Sequence, residues 1–159
     1  MNIYFIRHGE AEDSSFTRLD FDRELTNEGR IKLERAAQNW KNLVPHFDQI
    51  ISSPLTRALQ TAEIIVQVYN YSKKLIVDKK LGLGSDTLDI IEIANSLKAM
   101  NIAFVGHEPD FSRHVSSLIS NSGANINYKK GMIAKISFHG KVRIGSGQLE
   151  FLIPTKAYK

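Results

Sequence analysis

The sequence predicts an α/β fold: a three-layer α/β/α sandwich with a mainly parallel central sheet and an antiparallel C-terminal edge. Three observations carry the prediction. Through the first 120 residues, short apolar runs without polar alternation, typical of strands covered on both faces, alternate with longer segments of helical period. A β-α-β-α order of that kind implies parallel strands joined by helices packed on both faces of the sheet. Beyond residue 130 the pattern changes to short runs separated by His139-Gly140 and Gly145-Ser146-Gly147, residue types that make hairpin turns. The length, 159 residues, matches a single domain over 1–159, and 42% hydrophobic with 24% charged residues lies in the globular range.

Taken in order, Ile3-Tyr4-Phe5-Ile6 is β-branched and aromatic and reads as the first strand. Residues 12–25 are polar, acidic and unpatterned, and form a long loop ending at Thr26, a helix N-cap. Leu33, Ala36, Ala37, Trp40 and Leu43 then make one apolar helical stripe that stops before Pro45. Gln49-Ile50-Ile51-Ser52 is a second strand, and Ser53-Pro54 supplies the N-cap and first-turn proline of the next helix. Leu55, Ala58, Leu59, Ala62, Ile65, Val66 and Tyr69 form the clearest helical stripe of the chain. Leu75-Ile76-Val77 is a third strand, followed by a helix over Asp86 to Lys98 with Ile90, Ile91, Ala94 and Leu97 inward. Ile102-Ala103-Phe104-Val105 is another buried strand, closed by Gly106-His107-Glu108-Pro109, and Phe111, Val115, Leu118 and Ile119 face inward from a fourth helix. The tail contributes Ile133–Phe138, Lys141–Ile144 and Gln148–Ile153 to the antiparallel edge.

Composition removes several classes of chemistry. Without cysteine there is no disulfide framework, thiolate zinc site, iron–sulfur cluster or cysteine nucleophile. A net charge of +4 is too modest for the dense positive field of an obligate DNA binder. The Lys73-Lys74, Lys79-Lys80 and Lys129-Lys130 pairs have no aromatic stacking platform between them and read as solvated turns. Arg7 and His8 interrupt the first apolar run too early for a secretory signal, and no window is apolar enough to span a membrane. The expectation is a cytoplasmic protein with neither nucleic acid nor membrane as partner.

In a parallel sheet, ligands bind beyond the carboxyl ends of the strands. Arg7, His8, Gly9 and Glu10 follow the first strand, Ser52, Ser53 and Arg57 the second, and Gly106, His107 and Glu108 the later one. Two histidines and two arginines therefore converge on one edge. Paired guanidinium donors match phosphate oxygens and keep their charge at any working pH, so the guest is a phosphoryl group. A neutral imidazole can attack phosphorus in line and form a phosphohistidine. A second histidine, if protonated, donates to an equatorial oxygen, doing with the arginines what a metal would otherwise do. No metal or cofactor is called for. His46, His114 and His139 lie outside these positions and read as surface or satisfied histidines.

Ile6-Arg7-His8-Gly9-Glu10 resembles the Arg-His-Gly signature of the histidine phosphatase superfamily, whose fold is phosphoglycerate mutase-like. The run from Ser52-Ser53-Pro54 through Arg57-Ala58 to Thr61-Ala62 resembles its second arginine block, and Val105-Gly106-His107-Glu108-Pro109-Asp110 its second histidine block. The short chain, Arg23-Glu24-Leu25-Thr26 before Gly29, and Lys130-Gly131 are similar to the SixA-type phosphohistidine phosphatases. The resemblance implies His8 as nucleophile, Arg7 and Arg57 as phosphate clamps, and His107 as second histidine. Arg23, Asp20, Gly9 and Glu108 are further candidate substrate contacts, and Asp20, Asp22 or Glu10 candidate acids.

Larger relatives insert a helical lid between the second arginine block and the second histidine. Residues 58–106 are too few here for a large cap in addition to the predicted elements. An open site admits a phosphorylated side chain on a folded protein. The expected activity is thus a metal-independent phosphatase working through phospho-His8, with phosphohistidine on a protein such as a histidine phosphotransfer domain as substrate. The alternatives are a small-molecule phosphomonoesterase of the same superfamily, or a catalytically idle phosphate-binding module.

Overall fold

The computed structural model describes residues 1–13 and 19–157, so residues 14–18 of the expected 12–25 loop lie outside the described residues. Ten elements build the frame: β1 (Asn2–Arg7), α1 (Asn27–Trp40), β2 (Gln49–Ser52), α2 (Thr56–Val68), β3 (Ile76–Val77), α3 (Thr87–Ser96), β4 (Asn101–Gly106), α4 (Asp110–Ile119), β5 (Ile133–Ser137) and β6 (Gln148–Ile153). The strands form one sheet in the order β3-β2-β4-β1-β5-β6. Neighbours among the first four are parallel, while β5 runs antiparallel to both β1 and β6. This is the mixed sheet with an antiparallel C-terminal edge that the sequence predicts.

Strand periodicity divides the core in two. Ile3, Phe5, Ile102 and Phe104 point to the face where α3 and α4 lay down Ile90, Ala94, Phe111, Val115 and Leu118. Tyr4, Ile6, Ala103 and Val105 point to the face covered by Leu33, Ala36, Ala37 and Trp40 of α1 and Ala58, Ala62 and Ile65 of α2. Uninterrupted apolar strands are thereby explained, because both faces are buried.

Four sequence expectations are corrected. Lys141–Ile144 is not a strand: Val142 is buried and its backbone N–H and C=O are taken by the Asn95 side chain, so no strand partner is needed. Leu43 lies beyond the end of α1 and is half exposed; Val44 takes the buried place instead. Ser53 does not cap α2, whose N-cap is Leu55, with no side-chain cap bond. The stretch before α1 is not all loop, since Asp20–Asp22 winds into one 3-10 turn and Ala11 bridges Leu25. Thr26 does cap α1, its Oγ1 accepting from Gly29 N at 3.0 Å.

Candidate active site

The carboxyl ends of β1, β2 and β4 bring the expected residues together. Arg7 pairs in register with Gly106 across β1 and β4, so His8 and His107 leave adjacent strands side by side, with ring centroids 5.3 Å apart. Ser52 pairs with Val105, which puts the β2–α2 turn on the other flank of His107 and Arg57 one helical turn further on. His8 is 6% exposed, Arg57 4% and His107 1%, an unusual depth for polar groups.

Each side chain is oriented by specific bonds. His8 Nδ1 lies 2.7 Å from the Gly9 carbonyl oxygen. A carbonyl only accepts, so Nδ1 carries the proton and, in the neutral ring, Nε2 keeps a free lone pair. Gly9 is tied in turn to α2: its N–H donates to Thr61 Oγ1 at 3.1 Å, and that hydroxyl donates to the Arg57 carbonyl at 2.8 Å. Arg7 donates through Nη1 to the Tyr128 carbonyl, while Arg57 donates through Nη1 to the Asp20 carbonyl at 2.7 Å and pairs through Nη2 with the Asp20 carboxylate at 3.2 Å. His107 Nε2 lies 2.7 Å from Ser53 Oγ. Arg7 Nε, Arg57 Nε and His107 Nδ1 are buried without a hydrogen-bond partner among the described residues. Buried polar groups are normally paired, so orphans gathered at one site mark a place built to receive acceptors.

The residue match is equally specific. A sequence profile described as the histidine phosphatase superfamily (branch 1) matches residues 3–82. The chain belongs to that superfamily. An uncharacterized protein of Picosynechococcus sp. is 32% identical over 163 residues, covering 96% of this chain and 95% of that protein. Among solved structures, the protein histidine phosphatase SixA complexed with tungstate superposes with a TM-score of 0.86 over 100% of both chains, at 20% identity. SixA from Agrobacterium tumefaciens gives 0.81 over 96% of this chain and 97% of that one, at 18% identity. The fold is therefore SixA-like and phosphoglycerate mutase-like, and the protein is a phosphatase of the histidine phosphatase superfamily.

Within this phosphatase, burial sets the protonation of the site. Desolvation, reinforced by His107, Arg57 and Arg7, pushes the His8 pKa down to about 3. The same cause, with Arg57 next, lowers His107 to about 4. Both rings are held neutral at ordinary pH, so the condition attached to the second histidine in the sequence reading, that it be protonated, is not favoured by its surroundings. Burial also lowers the pKa of both arginines, Arg7 countered chiefly by Glu108 and Arg57 by Asp20, without removing their charge.

The remaining candidates are further out. Arg23 bonds the Glu12 carbonyl at 2.7 Å and the Asp20 carboxylate at 2.8 Å. That bond from Arg23, more than Arg57, holds the Asp20 carboxyl below its usual range. Glu108 accepts from Ser112 N at 2.8 Å and caps the first turn of α4. Glu10 pairs with Lys32 at 3.4 Å and Asp22 is exposed. His114 is satisfied by the Ser85 and Thr87 hydroxyls, His46 is exposed beside Asp48, and His139 is exposed. Sequence reasoning put Ser53 at the site edge but gave it only a helix-capping role, and it gave no role to Thr61 or Tyr128. Thr61 and Ser53 stand inside the arginine block; Tyr128 contributes only a carbonyl, which carries no residue-type signal.

Proposed function

We propose that this phosphatase cleaves phosphohistidine on a protein through a phosphohistidine intermediate on His8. The observation that carries the reading is the His8–Gly9 bond, which leaves a neutral Nε2 lone pair beside two guanidinium groups. In the first step Nε2 bonds to phosphorus as the P–N bond to the substrate imidazole breaks; the leaving ring, protonated on its free nitrogen, departs neutral. Water then breaks the His8 P–N bond, releasing inorganic phosphate and returning neutral His8. Arg7 and Arg57 hold the phosphoryl oxygens through both steps, and His107 donates to the charge that develops there. Gly9 carries the loop that orients His8, and Arg23 adds a third phosphate contact once Asp20 yields. Metal plays no part in this scheme.

A protein substrate is favoured by the surroundings. Residues 1–159 act in this reading as one histidine phosphatase domain without a large cap, since β3, a 3-10 turn at Lys79–Leu81 and α3 take up the chain between α2 and β4. A groove of about 520 Å³ runs along α4, lined by Pro109, Ser112, Arg113, Ser116, Asn125 and Asn127 among others. Leu19 is 75% exposed and Phe21 48%, the two apolar chain neighbours of the Asp20 that holds Arg57, and both are available to a docked protein. None of the described helices is long and apolar enough to cross a membrane. The reading extends to signal transduction in the cytoplasm, where a phosphohistidine on a protein would serve as a message.

The test is phosphate release in EDTA from a phosphohistidine-bearing phosphotransfer protein, with a phosphomonoester in parallel. The expected result is release from the phosphohistidine protein that His8→Ala abolishes. Cleavage of the phosphomonoester alone would replace the substrate claim with a small-molecule phosphatase, and no release from either would make the domain a phosphate-binding module.

A further inference from the structure

Ser53 Oγ and His107 Nε2 are 2.7 Å apart, and both residues are fully or almost fully buried. The hydroxyl also accepts the Leu55 N–H at 3.3 Å. Having accepted one proton, it still has its own proton to give. On the far side of the ring, His107 Nδ1 is sealed from solvent and has no partner among the described residues. With Nε2 engaged by Ser53, any hydrogen bond from His107 to a bound phosphoryl group leaves through Nδ1. A lone pair at Nδ1 would repel that oxygen, whereas an N–H would bind it. Which nitrogen carries the proton is set by the bond made at the other.

We infer that Ser53 is a positioning residue whose hydroxyl donates to His107 Nε2, holding the ring as the neutral Nδ1–H tautomer and so making it a donor to the transferring phosphoryl group. The inference rests on the phosphatase reading and assigns its second histidine a neutral mode of action. The charged and titratable groups facing His107 are Arg57 from α2, Arg7 and His8 at the end of β1, Asp20 from the 3-10 turn and Asp110 from α4. Burial first, then Arg57 and Arg7, disfavour an imidazolium there and outweigh Asp110 and Asp20, which favour it, while a neutral donor gives transition-state stabilisation without a second proton in the site. The Ser53 hydroxyl ahead of α2 thus serves the neighbouring ring as well as the Leu55 N–H at the helix entry.

The experiment reads the side-chain nitrogens of His107 by ¹⁵N NMR in wild-type protein saturated with tungstate at pH 7.5, assigned against His107→Asn. The expected spectrum shows a protonated Nδ1 and a bare Nε2. Ser53→Ala is expected to populate the Nε2–H form and lower kcat about 10- to 100-fold, below the roughly 100- to 1,000-fold cost of deleting a charge-stabilising donor outright. Ser53→Thr, which keeps the hydroxyl, is expected to restore both. A bare Nδ1 in tungstate-bound wild type, an imidazolium with both nitrogens protonated, or a tautomer unchanged in Ser53→Ala would each overturn the assignment. The wild-type spectrum suffices even if Ser53→Ala does not fold. Failure to bind tungstate at all would overturn the anion site itself, and with it both readings.

Discussion

At the scale of single residues, Arg57 is the point where the resting site and the occupied site compete. Asp20 holds both Arg57 terminal nitrogens, through its carbonyl and its carboxylate, and leaves Nε unpartnered, so an incoming phosphoryl group that takes a terminal nitrogen as well as Nε competes with Asp20. The carboxylate is 46% exposed, so its pairing energy is screened to roughly 0.2–1 kcal/mol. Asp20→Asn is therefore expected to tighten inhibition by tungstate about two- to five-fold, read from the inhibition constant at fixed ionic strength. With its carboxyl lowered by Arg23, Asp20 is ionised in this arrangement and is a poor proton donor. Arg7, His8, Arg57 and His107 were legible because each follows a strand end in a parallel sheet and bears a side chain suited to phosphate. Ser53 was misread for a physical reason: a serine before proline at a helix start has the same signature whether its hydroxyl caps the helix or turns to a neighbouring ring. Tyr128 was invisible because it acts on Arg7 through its backbone.

The elements show where residue type and packing pull in opposite directions. Gly29 lies inside the first turn of α1, where alanine would ordinarily stabilise by about 0.5–1 kcal/mol. Here an added Cβ would overlap the Glu10 carbonyl oxygen, a backbone atom that cannot step aside alone. Gly29→Ala is expected to destabilise by roughly 1–3 kcal/mol in urea unfolding and to lower activity, since Glu10 continues the loop that carries His8 and Gly9. Thr26→Ala removes the α1 cap and is expected to cost about 1 kcal/mol in the same measurement while leaving kcat near wild type. Helix and strand periods made α1 to α4 and the parallel strands readable, because both faces of the sheet are covered and the inward positions are predominantly apolar. The irregular run Lys141–Ile144 looked like a strand for the same reason, its Val142 being buried. What satisfies its backbone is an asparagine on α3, a long-range partner that local pattern does not reveal.

For the molecule as a whole, three neutral buried histidines govern the response to acid. His8 titrates at about 3, and His107 and His114 at about 4, below the ordinary 6.5, with burial as the leading cause in each. Below pH 6.5 the unfolded chain takes up protons at these positions while the folded chain does not, so folding stability is complete above that value and falls as pH drops toward 4. Proton uptake by the unfolded chain at each position weakens folding through that window, and thermal melting should show Tm declining steadily from pH 6.5 to 4.5. His114→Gln, which spares the site, is expected to shallow that decline. The sheet order has a further outcome for biosynthesis. Asn2 of β1 faces Asn101 on one side and Ser137 on the other. The strand that carries Arg7 is made long before either neighbour, and an apolar strand with open edges is a template for wrong pairing. A nascent chain that ends before β4 can neither close that strand nor bring a second histidine to His8, so catalytic competence comes only after β4 and the His107 that follows it have been made.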